Sequence, residues 1–147
     1  MSSFKGEFRY TRDEKGRLNI PAKFRRALSP EANETFIVIR GFDGCLFLFP
    51  LDEWKKYEEK LRQLPTNKEK NRRLLRMMTS NASEERCDKQ GRIIIPAELL
   101  KIAHIEKEVL IIGVLERIEL WNPNVYQQYL DASGESYEDI AEGIMFE

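Results

Sequence analysis

Histidine, cysteine and long apolar runs are all scarce in this chain of 147 residues. The single histidine, His104, stands among apolar neighbours with no nucleophile or carboxylate patterned around it, so general-base catalysis has no candidate. Cys45 and Cys87 lack metal-ligand or redox spacing, and each is expected to be a free thiol that packs as a small hydrophobe. No apolar stretch approaches the roughly 18 residues that span a bilayer. The opening Met-Ser-Ser-Phe-Lys-Gly-Glu has no apolar leader core. A cytoplasmic protein without membrane contact is expected. Phosphate-binding glycine loops and nucleophile elbows are missing too, since Gly41-Phe-Asp-Gly44 reads as a turn between strands. The carboxylate pairs Glu58-Glu59 and Glu84-Glu85 are sequence neighbours, which do not face one another on a helix. No enzyme, metal or cofactor is expected.

Net charge is nearly absent as well, at −1, although 33% of the residues are charged. The balance hides an asymmetry. Residues 130–147 carry six acids and no Lys or Arg, which leaves +5 on residues 1–129. A phosphate within a Debye length of about 8 Å responds to the local field and not to the sum. The acidic end reads as a solvated tail or helix.

What the chain does contain is a duplication. Asp13-Glu-Lys-Gly-Arg-Leu-Asn-Ile-Pro-Ala22 and Asp88-Lys-Gln-Gly-Arg-Ile-Ile-Ile-Pro-Ala97 coincide at six of ten positions with an offset of 75. A second match, at an offset of 72, aligns Gly41 with Gly113, Leu48 with Leu120, Phe49 with Trp121, Trp54 with Tyr126 and Tyr57 with Tyr129. Two repeats follow: residues 1–80, with a core over about 7–54 and bridging helices, and residues 81–147, with a core over about 82–125 and the acidic end.

Each repeat reads as a β-rich α+β module. Phe8 and Tyr10, then Leu18 and Ile20, alternate in period two around a turn, which predicts a half-buried hairpin. Asp13 and Asp88 open type I turns closed by Gly16 and Gly91. Pro21 and Pro96 predict short helices over 21–29 and 96–103. Strands over 36–40 with 45–49, and over 109–113 with 117–121, come next, with helices from about Asp52 and Asn124. Pro65 breaks the first of these, and residues 68–80 predict an amphipathic bridging helix. A half-module exposes too much strand edge to stand alone, so the two copies are expected to complete one shared barrel.

The run Thr11-Arg-Asp-Glu-Lys-Gly-Arg-Leu-Asn-Ile-Pro-Ala-Lys-Phe-Arg25 resembles the signature of the MraZ family, and Asp88 to Arg92 supplies its second copy. The motif is shared with AbrB-like and MazE-like DNA binders; the tandem pair in a chain of this length points to MraZ. The resemblance implies a pseudo-symmetric, double-split, swapped-hairpin AbrB-like β-barrel with flanking helices. It also implies a ring-shaped homo-oligomer and a nucleoid-associated regulator that binds direct repeats in double-stranded DNA upstream of division and cell-wall genes.

Such a reading assigns roles to residues. A two-stranded ribbon fits the major groove. Arg17 and Arg92 offer planar forks for a guanine or a phosphate, while Arg12 and Lys15, with Arg86 and Lys89 on the second copy, add phosphate-seeking charge. Asp13, Gly16, Asp88 and Gly91 structure the turns. The alternative is a surface ion pair bracketing a tight turn in a ring-forming scaffold or antitoxin-like protein binder. Lys68, Lys70, Arg72, Arg73 and Arg76 form a second basic cluster, either a solvated helix face or a contact for DNA backbone or a neighbouring subunit. Lys23, Arg25 and Arg26 are expected beside the first hairpin, either as flanking charge or as a solvated helix face, and Phe42, Phe47, Phe49, Trp54 and Trp121 in the core or an interface.

Overall fold

The computed structural model describes residues 2–146. Its eight strands are β1 (Phe4–Thr11), β2 (Arg17–Asn19), β3 (Thr35–Arg40), β4 (Leu46–Pro50), β5 (Ser83–Arg86), β6 (Arg92–Ile94), β7 (Glu108–Leu115) and β8 (Arg117–Trp121). Six α-helices and one 3-10 turn (Pro30–Ala32) accompany them: α1 (Ala22–Ala27), α2 (Leu51–Arg62), α3 (Glu69–Thr79), α4 (Ala97–Ile102), α5 (Pro123–Ala132) and α6 (Tyr137–Met145). Pro21 and Pro96 stand one residue ahead of α1 and α4, in extended conformation at the N-cap.

Six strands form one antiparallel sheet in the order β1-β7-β8-β4-β3-β5, and β2 pairs with β6 in a separate two-stranded ribbon. The repeats exchange strands. First-repeat β1 lies on second-repeat β7, and second-repeat β5 on first-repeat β3. The hairpins expected around each turn therefore do not form as ladders. Their alternation fixes which side chains face inward, but it is silent about the partner strand. β1 runs from Phe4 opposite Leu115 to Thr11 opposite Glu108, far longer than the three residues of β2 could support. Nor does backbone pairing close the sheet into a barrel among the described residues. β1 and β5 are its edges, and the ribbon covers one face.

Burial explains the pattern. β3 and β4 are apolar almost throughout because both of their faces are covered. Phe36, Val38, Leu46 and Leu48 point into a core completed by Leu18, Ile20, Ile93 and Ile95 of the ribbon segments, with Phe24 of α1 and Leu99 of α4. Their neighbours Ile37, Ile39, Phe47 and Phe49 enter a second core on the opposite face, with Trp54 of α2, Met78 of α3 and Trp121. The edge strand β5 reads Ser-Glu-Glu-Arg, and charge on an edge discourages pairing with another chain. Of the aromatic residues expected in the core, only Phe42 is exposed.

Candidate nucleic-acid interface

The two turns repeat each other atom for atom. In the first, the Gly16 amide donates to the Asp13 carbonyl at 3.0 Å, and the Asp13 amide donates to the Arg17 carbonyl at 3.0 Å. Asp13 Oδ1 accepts from the amides of Lys15 (3.0 Å) and Arg17 (2.8 Å), while Oδ2 accepts from Arg17 Nε at 2.5 Å. In the second, Asp88 Oδ1 accepts from the amides of Gln90 and Arg92, both at 2.9 Å, and Oδ2 accepts from Arg92 Nε at 2.9 Å. Gly16 and Gly91 hold φ of +81° and +77°, the left-handed region that disfavours any Cβ. The backbone amide of Arg17, then its guanidinium, holds the Asp13 carboxyl below its ordinary value, and Arg92 does the same for Asp88.

These carboxylates fix the arginines by one edge only. Among the described residues, the terminal guanidinium nitrogens of Arg17 and Arg92 make no hydrogen bond to the chain. What remains is a planar, charged fork of preset direction.

The ribbon sets where the forks stand. Leu18 lies opposite Ile93 and both are buried, so the flanking Arg17, Asn19, Arg92 and Ile94 share the outer face. Arg17 is opposite Ile94, and Asn19 is opposite Arg92. Each turn is tied to the other repeat: the Ile20 amide donates to the Gly91 carbonyl (2.9 Å) and the Ile95 amide to the Gly16 carbonyl (2.8 Å). One narrow strip thus carries both arginines, supplied by two repeats. The finger expected from a hairpin in each repeat is replaced by a single two-stranded ribbon, to which each repeat contributes one strand.

The other site candidates divide. Lys15 and Lys89 are exposed at the turn apices, in different slots: Glu14-Lys15 in the first turn matches Lys89-Gln90 in the second. Arg12 is committed to the backbone. Its amide donates to the Lys107 carbonyl at 2.9 Å, and its guanidinium donates to the carbonyls of Glu106 and Asp13. Arg86 stands on β5 opposite Thr35 and pairs with Glu34 at 3.8 Å. Arg25, expected beside the first hairpin, touches it and the second turn as well. Its Nε donates to the Ile20 carbonyl at 3.0 Å, and its guanidinium lies against Gly91 of the second turn. Asn19 and Ile94 were not singled out from the sequence, because only the β2–β6 register places each of them beside an arginine of the other repeat. The basic residues of α3 belong to the opposite side of the sheet, where Met78 anchors that helix.

No group of His, Cys, Asp and Glu able to hold a metal occurs among the described residues, and no helix there is long and apolar enough to cross a membrane.

Comparison with known proteins bears on the whole chain. A family model described as "MraZ protein, putative antitoxin-like" matches twice, over residues 3–77 and 78–144. The chain is 46% identical over 142 residues to the "Transcriptional regulator MraZ" of Pediococcus pentosaceus, covering 97% of this chain and 96% of that protein. It is 45% identical over 142 residues to the protein of the same name from Natranaerobius thermophilus, with the same coverage of 97% and 96%.

Proposed function

The chain belongs to the MraZ family, and from that premise we propose that it is a sequence-specific transcriptional regulator that reads double-stranded DNA with the outer face of its β2–β6 ribbon. The observation that carries this reading is the pair of guanidiniums, each pinned through Nε to a turn aspartate and open at its far end. A ribbon is narrow enough for the major groove, where an arginine fork matches the two acceptors of guanine. Lys15, Lys89 and Arg25 add cationic charge around the strip, while Arg12 braces the first turn through the Asp13 carbonyl and Arg86, paired with Glu34, contributes to the field. Asn19 offers an amide suited to adenine, and Ile94, 49% exposed, offers a surface suited to a thymine methyl.

A single ribbon makes few contacts. Several copies in a closed homo-oligomeric ring would engage direct repeats together and raise avidity by about 10²–10⁴. The genes controlled would be those of the division and cell-wall cluster, in a nucleoid-associated setting.

Gel shifts with DNA from upstream of the protein's own gene, against scrambled DNA at two salt concentrations, test the reading. Wild type should favour its own DNA and weaken steeply as salt rises. Arg17→Ala should lose that preference with fold and assembly intact. Retained tight operator binding by Arg17→Ala would remove the proposed role, and weak, sequence-blind binding by wild type would favour a protein-binding scaffold instead.

A further inference from the structure

Helix α3 turns a row of arginines outward. Glu69, Arg72, Arg73 and Arg76 follow the i, i+3, i+4, i+7 spacing of one helix face, and Met78, which anchors α3 to the sheet, stands on the opposite side. The Arg73 side chain is 69% exposed and that of Glu69 54%. Only one of the three arginines is neutralised. Arg73 pairs with Glu69 at 3.0 Å, Arg72 donates to the Thr66 carbonyl at 3.1 Å, and Arg76 has no acid within ion-pair reach among the described residues. Arg76 stands one turn beyond both Arg72 and Arg73, a like-charge spacing that weakens a helix by itself. Asn71, the one side-chain amide of α3, is tied back to the Pro65 carbonyl at 2.9 Å.

The surroundings add to this charge. Residues 54–80 hold nine Lys and Arg against three acids, Glu58, Glu59 and Glu69, in a chain whose net charge is −1. Glu58 is engaged by Arg62 at 3.7 Å, in the groove between α2 and α3. On the other flank Arg40 lies beside Leu74 and Met77. A row of like charges of this kind is relieved by a polyanion laid along it. Duplex DNA carries one negative charge per about 1.7 Å of axis, and a guanidinium grips a phosphate through two parallel N–H groups. The 11 residues of α3 extend over roughly 16 Å, enough to pass several phosphates. Guanidiniums with no amide beside them suit the backbone, which carries no sequence information.

We propose that the outer face of α3 is a second, sequence-blind contact for the DNA backbone, and that it holds a duplex segment other than the one on the ribbon of the same chain. The ribbon packs on one face of the sheet and α3 on the other, so one straight duplex cannot touch both. The ribbon selects the site, α3 gathers a further length of DNA, and the protein bridges the two. This inference rests on the reading of the ribbon as a DNA-binding surface and adds to it a site of different chemistry.

Bead capture tests this. The protein is loaded onto immobilised DNA from upstream of its own gene and offered a fluorescent duplex of random sequence. Wild type should retain the second duplex, while Arg72→Ala/Arg73→Ala/Arg76→Ala should lose it and still prefer its own DNA. Alanine favours the helix, so the circular dichroism spectrum should not change. On random DNA the slope of log affinity against log salt should shrink by about 2–3 in this variant, the loss of three phosphate contacts. Glu69→Gln, which frees Arg73, should tighten binding to random DNA. Arg17→Ala/Arg92→Ala should lose the preference for its own DNA and keep the part of the slope that depends on α3. A triple variant with the wild-type slope and a retained second duplex would overturn the α3 contact and leave the ribbon reading in place. One that falls to smaller species in light scattering would also overturn it, because the face would then belong to another copy. A wild type without preference for its own DNA would overturn the ribbon reading, and the bridging with it.

Discussion

Arg25, on the helix that follows the first turn, lies against Gly91 of the second turn: a Cβ on Gly91 would stand 2.6 Å from Arg25 Cζ. The matching Cβ on Gly16 would stand 2.6 Å from the carbonyl oxygen of Ile95. A flexible guanidinium can swing aside, but a carbonyl committed to the backbone cannot. Both Gly→Ala variants also force a side chain onto positive φ, at a cost of about 1–3 kcal/mol. Urea denaturation should therefore show Gly16→Ala to be the more destabilised of the two. Equal losses would mean that the turn's backbone conformation alone sets the penalty.

The turn carboxylates make stability depend on pH in a defined direction. Asp13 and Asp88 have folded values below the unfolded one, first because of the backbone amides of Arg17 and Arg92. Their contribution is present above the unfolded value of about 3.9 and fades as pH falls through the folded value. Asp13→Asn/Asp88→Asn should be less stable than wild type at pH 7, with the gap narrowing below about pH 4. Thermal melts at pH 7 and pH 3 check this; a gap that persists unchanged would assign the effect to lost shape, not lost charge.

Asn19 and Ile94 are the one place where the outer face of the ribbon breaks its symmetry. Selection of bound sites from random DNA should yield different half-site preferences at the two ends of the strip. Ile94→Asn should make them alike, with a change of about 1–3 kcal/mol at the affected base pair. Unaltered preferences would place both side chains away from base edges.

Burial pushes the Cys87 thiol up to about 11 and raises Cys45 further, in each case before any charge acts. The thiolate is the reactive form, so both should alkylate slowly at pH 8. Mass spectrometry after iodoacetamide should show labelling at least about 100-fold slower in the native chain than in urea. Rapid native labelling of Cys87 would show that its packing opens readily.

Local chemistry was legible in the sequence and partnership was not. Asp, Gly and Arg at fixed offsets dictate a turn whose hydrogen bonds close within five residues, and the structure forms that turn twice. Pro21, Pro65 and Pro96 likewise mark where chain segments change character. Phe8 and Tyr10 alternate identically whether β1 pairs with β2 or with β7, so the strand exchange left no trace in the periodicity. That Arg25 also reaches the second turn was hidden for the same reason, because this follows from the Ile20–Gly91 link between repeats. The acidic end, left open between a tail and a helix, forms α6, with Ser136 accepting from the Asp139 amide at its start.

Strand exchange also sets a schedule for synthesis. Phe8 finds its partner in Ile111, about a hundred residues downstream. At a ribosomal pace of about 5–20 residues per second, the first strand waits roughly 5–20 seconds for its ladder to exist. Throughout that interval the nascent chain carries half of a fold with nothing to close it, and a ribosome-bound chaperone or an early partner would find its longest opportunity there.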